Sequence, residues 1–163
     1  MKNLIVYYSL EGDTDMIAQE LAKKIHADII RLIPKKQIPT GKFTKFFWGG
    51  KSVIFNEKPK LTNGKIAVEN YDTIIIGTPI WAGSFAAPIM SFISENNIQG
   101  KEIYLFACHA GGGAEKCFEK LQNKLAGNTI KGTVDFIEPI KGMDATSNEK
   151  FQHFYEEIIR NKK

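Results

Sequence analysis

Six residues, Ser9-Leu10-Glu11-Gly12-Asp13-Thr14, separate an apolar run from an amphipathic helical pattern. Hydroxyls and a glycine at the start of a helix are groups that hold an anion. Unpaired backbone N–H groups point outward there, and the helix dipole adds partial positive charge. Gly12 lets the chain turn without a Cβ in the way, and Ser9 and Thr14 add hydroxyl donors. No lysine follows the glycine, so the loop is not of the Walker type; amides and hydroxyls alone suit a phosphate monoester. Glu11 and Asp13 work against this reading, since two carboxylates beside a phosphate dianion repel it. Asp13 also has a benign reading as a helix cap, and the whole loop a plain one as a capped turn.

Two further stretches carry possible chemistry. In Thr78-Pro79-Ile80-Trp81-Ala82-Gly83 a tryptophan directly follows an apolar strand. It is expected to be only partly buried, with an indole that can stack on a planar aromatic. In Cys108-His109-Ala110-Gly111-Gly112-Gly113 three consecutive glycines expose amides that can form an anion nest or bond a polar ring edge. His109 is a candidate proton donor and Cys108 a candidate redox thiol. The plainer readings are an exposed loop histidine and a small buried residue at a strand end. Together the three stretches describe a cradle, a stacking surface and a clamp for a flat ring with a phosphate tail. No nucleophile–base pair is visible, and the two cysteines and three histidines form no metal-ligand cluster.

The elements that must position these residues alternate along the chain. Apolar runs at 3–9, 28–33, 71–79, 101–108 and 132–140 predict five strands. Helical spacing joins Ile17, Leu21 and Ile25; it recurs in Cys117, Phe118, Leu121 and Leu125, and again in Phe151, Phe154, Tyr155 and Ile158. Pro88 suits the first turn of a further helix, and Thr146 with Glu149 forms a capping box for the last one. Strands alternating with helices imply an α/β fold, a parallel sheet with helices on both faces. Ligands sit outside the carboxyl ends of such strands, where strand order reverses. The loops at 9–14, 77–85 and 107–114 are therefore the ones that matter, and they hold the three stretches above.

At 163 residues the chain is most simply one domain, 1–163. No apolar run approaches the ~20 residues of a membrane span, and no signal peptide is visible, so a cytoplasmic protein is expected. Residues 35–65 hold eight lysines against one acid, Glu57, so that segment carries +7 while the rest carries −3. The same segment holds Phe43, Phe46, Phe47, Trp48 and Phe55. It reads as a lid, as a dock for an acidic partner or anionic ligand, or as aromatics packed on the domain with solvated lysines. Only two arginines argue against nucleic acid. The first loop lacks the cysteine and arginine of a low-molecular-weight phosphatase, and Gly77 and Thr78 stand where a receiver domain has its aspartate. The dinucleotide fingerprint is absent after the first strand.

With these residues in place, the chain resembles the flavodoxin family over essentially its whole length. The family's Ser/Thr-x-Thr-Gly-x-Thr loop stands here as Ser9-Leu10-Glu11-Gly12-Asp13-Thr14. The stretch "YDTIIIGTPIWAGSFAAPIMSFI" is similar to the family's Thr-Pro-x-Trp/Tyr region, which borders the isoalloxazine ring. The resemblance implies a doubly wound five-stranded parallel sheet in the order 2-1-3-4-5, with flavin mononucleotide (FMN) as cofactor. It implies that residues 9–14 take the phosphate, Thr78 to Gly83 border the ring, and Cys108 to Gly113 clamp its other side. The implied role is redox, with electrons passed to a partner protein or to a small acceptor such as a quinone or nitro compound; a module that has lost its flavin is the third reading. Family carriers are typically acidic, whereas this chain has a pI of about 9.0. Glu11 stands where a hydroxyl residue is usual, which implies weaker FMN binding.

Overall fold

The structure is a computed structural model that describes residues 2–36 and 58–161. Its sheet has five parallel strands: β1 (Asn3–Tyr7), β2 (Asp28–Arg31), β3 (Thr73–Trp81), β5 (Glu102–His109) and β6 (Thr129–Ile137). They lie in the order β2-β1-β3-β5-β6. A two-residue strand, β4 (Ser84–Phe85), pairs antiparallel with the end of β3. With that short hairpin strand set aside, the order is the expected 2-1-3-4-5.

Successive strand residues point to opposite faces, so each strand feeds two cores. Leu4, Val6, Ile74, Ile76, Ile103 and Leu105 face α2 (Ala87–Glu95) and α3 (Ala114–Lys124), meeting Ile89, Phe92, Phe118 and Leu121. Ile5, Tyr7, Ile75, Tyr104, Phe106 and Phe136 face α1 (Asp13–Ile25) and α4 (Ala145–Arg160), meeting Ile17, Leu21, Ile25, Phe151, Phe154 and Ile158. Each such side chain contributes roughly 1.5–3 kcal/mol when fully buried.

Two helix starts are set by groups other than those the sequence offered. Helix α1 begins at Asp13, because Gly12 rather than a hydroxyl or carboxylate side chain occupies the cap position. Helix α4 begins at Ala145, because the Asp144 carboxylate accepts the Ser147 N–H at 2.7 Å, ahead of the Thr146–Glu149 box. A carboxylate acceptor two residues earlier takes the cap.

Beyond β2 the chain leaves the sheet and returns on itself. Lys35 N–H donates to Lys60 O and Thr62 N–H to Ile33 O, each at 2.8 Å, around a Pro34–Leu61 bridge. The Asn63 side chain accepts from Ile33 N–H and donates to Arg31 O. Most of the basic segment, with Phe43, Phe46, Phe47, Trp48 and Phe55, lies outside the described residues. No helix among the described residues is long and apolar enough to cross a membrane.

Candidate functional site

Strand order reverses between β1 and β3, and a cavity of about 530 Å³ opens there at the carboxyl ends of the strands. Its size falls within the ~300–1,000 Å³ of small-molecule sites. Every residue singled out in the three sequence stretches lines it except Gly12 and Thr78.

The first loop forms because β1 ends at Tyr7 and Ser9 Oγ accepts the Gly12 N–H at 3.2 Å. Gly12 has φ 108°, a left-handed conformation, and a Cβ there would lie 2.9 Å from Ile140 Cδ1. Its carbonyl accepts the Met16 N–H at 2.9 Å, which starts α1 with no side-chain cap. The N–H groups of Asp13, Thr14 and Asp15 are therefore left without an acceptor among the described residues. The Thr14 hydroxyl is on the cavity wall and only 1% of the residue is exposed. It acts on the Cys108 thiol, opposing the rise that burial causes, but forms no hydrogen bond of ordinary geometry.

Asp13 does not take the benign role of helix cap. Its Oδ1 accepts the Ile140 N–H at 2.9 Å and ties the loop to the turn after β6. Arg31, which carried no signal in the sequence, supports the loop from β2. One Nη donates to Ser9 O at 3.1 Å and the other lies 3.6 Å from Asp15. Asp15 also accepts the Tyr7 hydroxyl. Burial, then that bond, pushes the Tyr7 phenol up to about 12.

The second stretch is the β3–β4 hairpin. Ala82 (φ 46°) and Gly83 (φ 68°) both take left-handed backbone, as a two-residue hairpin turn of the I′ kind requires. Trp81 differs from expectation. It is 3% exposed and meets Tyr8 edge-on, ring centroids 5.6 Å apart, so the indole borders the cavity while most of its surface is packed in the core. Thr78 is fully buried and does not line the cavity. Its Oγ1 accepts the Ala86 N–H and donates to Pro79 O, both at 2.9 Å, which fixes the hairpin to the start of α2.

The third stretch is held by His109. Its side chain is 6% exposed, not the open loop residue of the plainer reading. Nδ1 accepts the Gly112 N–H at 2.7 Å, and Nε2 lies 3.0 Å from Asp135 Oδ2. That pattern places the neutral ring's proton on Nε2. The ring thus ties the glycine loop to β6, and both of its nitrogens are occupied. Burial alone would raise the Asp135 carboxyl, but the bonds from His109 and Lys150 outweigh it and hold the group below its usual value. Burial pushes the Cys108 thiol up to about 12, which keeps it protonated and unreactive at neutral pH. A Cβ on Gly113 would lie 3.2 Å from the Gly83 Cα, so the glycine loop and hairpin turn brace each other.

One wall residue has no counterpart in the sequence reading: Glu138, directly after β6. Its only sequence signal is a carboxylate next to Pro139 at the end of a strand, in a loop that the strand-order argument did not single out.

The family model described as Flavodoxin matches residues 2–136 of the chain. Among solved structures, a flavoprotein from Lactobacillus acidophilus in complex with FMN is 22% identical, with a TM-score of 0.70 over 86% of this chain and 96% of that one. A protein from Bacteroides eggerthii assigned as a flavoprotein is 22% identical, with a TM-score of 0.76 over 94% and 97%. The two-electron reduced flavodoxin of Megasphaera elsdenii is 17% identical, with a TM-score of 0.63 over 95% and 96%. At these identities the structural likenesses concern the fold.

Proposed function

The chain belongs to the flavodoxin family, and we propose that it holds FMN in this cavity and passes electrons to a protein partner. The observation that carries the proposal is the Thr14 hydroxyl, buried and unpartnered on the cavity wall beside three N–H groups that lack an acceptor. A buried hydroxyl left unpaired costs about 1–3 kcal/mol, and a phosphate oxygen satisfies it. In this reading Ser9 to Thr14 hold the phosphate. Pro79 to Gly83 border one side of the ring, with Trp81 at its edge. Cys108 to Gly113 line the other side, offering amide N–H groups to the ring's polar edge.

When bound, FMN supplies electron and hydride chemistry at its ring; the chain supplies position. Arg31 and the Ile140 N–H keep the first loop in shape, and His109 keeps the glycine loop against β6 instead of relaying protons. Ala82 and Ala110 to Gly113 form an exposed rim, which gives a partner surface access to the ring edge. Lys35, Lys36, Lys58 and Lys60 are exposed at the two ends of the basic segment. An acidic partner steered by them binds more weakly as salt rises; salt-independent binding would remove that part of the proposal.

A second reading, direct reduction of a small acceptor, is favoured by the net charge of +4, which departs from the family's acidic carriers. Fluorescence titration with FMN and riboflavin tests the site: binding that needs the phosphate supports the cradle, and no binding of either removes the proposal. Stopped-flow mixing of the loaded protein with NADH or NADPH, then a quinone, separates the two roles. Slow reduction without turnover supports the carrier; multiple turnovers identify a reductase.

A further inference from the structure

The phosphate end of the cavity brings together two opposed sets of groups. One is the set of donors: the acceptor-free N–H groups at the start of α1 and the buried, unpartnered Thr14 hydroxyl. The other is a set of three wall carboxylates, Glu11, Asp13 and Glu138. Glu138 is held at the wall by left-handed backbone (φ 40°, ψ 52°) and by its own N–H, which donates to His109 O at 3.0 Å. Its Oε1 accepts from Lys141 Nζ at 2.6 Å, and its Oε2 has no partner among the described residues.

The surrounding charges do not neutralise the carboxylates. From α1 come Asp13, spent on Ile140 N–H, and Asp15. From β2 comes Arg31, spent on Ser9 O and Asp15. From the turn after β6 comes Lys141. From β5 come the Cys108 thiol and His109, whose ring is spent on Asp135 and Gly112, while Lys150 matches Asp135. Glu11, Asp13, Asp15 and Glu138 against Arg31 and Lys141 leave a formal charge of −2 beside an anion subsite.

On the reading that this cavity takes a flat ring with a phosphate tail, we propose that the subsite takes the phosphate monoester as its monoanion, with Glu138 accepting a hydrogen bond from the remaining P–O–H. A phosphate monoester loses its second proton near pH ~6, so the dianion dominates at neutral pH and meets the carboxylates as a like charge. The monoanion carries half the charge and brings one donor of its own. That donor needs an acceptor, which the N–H groups of α1 cannot be and a carboxylate can, through a short charge-assisted bond. The other phosphate oxygens accept from the α1 N–H groups and Thr14. The proton stays on the phosphate, and no covalent step is involved.

The test is titration with FMN and with riboflavin, by flavin fluorescence, between about pH 5.5 and about pH 7.5 at fixed ionic strength. This range lies above ordinary carboxylate titration. FMN binding is expected to tighten by about 20-fold on acidification, following the monoanion's share of a group with second pKa ~6, while riboflavin stays within about twofold. Glu138→Gln is expected to tighten FMN at about pH 7.5 and to flatten the pH dependence; circular dichroism checks its fold, and Glu11→Gln serves the same comparison if that variant does not fold. FMN that weakens on acidification while riboflavin is steady means that the dianion binds, and overturns the inference. Equal affinity for FMN and riboflavin at every pH also overturns it and leaves the ring site standing. Binding of neither overturns the reading of the cavity itself.

Discussion

On the proposed reading of the cavity, Thr14 serves binding at the expense of stability. Its hydroxyl is enclosed on the cavity wall with no hydrogen bond of ordinary geometry and only the Cys108 thiol acting on it, so folding removes it from water with little compensation. Thr14→Val keeps the branched shape and removes the polar atom. It is expected to leave stability unchanged or raise it by up to ~1 kcal/mol, and to weaken FMN binding by about tenfold or more, as for a lost hydrogen bond to a charged group. Riboflavin binding should not move. Urea midpoints and parallel titrations check both signs; a variant that loses stability and keeps FMN affinity would place the hydroxyl in the fold and not in the site. Asp135 is the opposite kind of residue, polar and fully engaged. Its carboxyl is held below the ordinary value in the folded chain despite burial, because His109 and Lys150 bond to it. The stability it contributes is present above the unfolded value near pH ~4 and is lost as pH falls through the lower folded value. Asp135→Asn should therefore flatten the decline of the urea midpoint below about pH 4 and loosen the glycine loop, whose Gly112 amide should then exchange faster with deuterium.

At the scale of elements, the carboxyl end of β3 places the Pro79 to Gly83 wall of the cavity, and its neighbours constrain it tightly. A Cβ on Gly77 would lie 2.1 Å from the ring of Phe106, which is fully buried on β5 beside it. Gly77→Ala forces two adjacent strands apart or turns the ring off its rotamer, at a cost of about 1–3 kcal/mol. Thermal melts should show a loss that Phe106→Leu in the same chain partly restores. The hairpin that follows has the reverse problem. Ala82 carries left-handed backbone that a Cβ disfavours, so Ala82→Gly should stabilise by up to ~1 kcal/mol, or about 2–4 °C in a domain of this size. Strand 71–79 was legible in the sequence as an apolar run. The hairpin was not, because Ala at a left-handed position hides the usual Asn-Gly or Gly-Gly signal. The same blind spot explains Trp81. A tryptophan flanked by Pro79 and Gly83 looks like a loop residue, whereas the turn carries it back over Tyr8 and into the core.

At the scale of the whole molecule, the parts legible in the sequence were those written in local periodicity: five strands, their alternation with helices, and the three loops that strand order brings together. The supports that hold those loops were not legible, because they come from far along the chain. Asp13 meets Ile140, Arg31 meets Ser9, and His109 meets Asp135. No local pattern marks such pairs, and Glu138 entered the site by the same route. The two cores on either side of the sheet lead to a prediction that belongs to the molecule as a whole. Each core encloses one thiol and one phenol that burial pushes up to about 12. Tyr8 and Cys117 lie on the face of α2 and α3, and Tyr7 and Cys108 lie on the face of α1 and α4. Their ordinary values are 9.0 for the thiols and 10.0 for the phenols. Below about pH 8 all four are neutral in both states and stability is level. Above it the unfolded chain ionises its thiols and then its phenols, while the folded chain resists until about 12. Stability should therefore drain steadily from about pH 8 upward, and both faces of the sheet should contribute. Urea midpoints taken from about pH 7 to about pH 11 check this, with tyrosinate absorbance followed at each step. Cys117→Ala should remove part of the early decline, near the thiol range, and leave the later phenol-driven decline intact. A midpoint that stays flat through about pH 11, or a tyrosinate signal near pH 10 in the folded protein that Tyr7→Phe or Tyr8→Phe removes, would mean that solvent reaches these groups and that the cores are not closed around them.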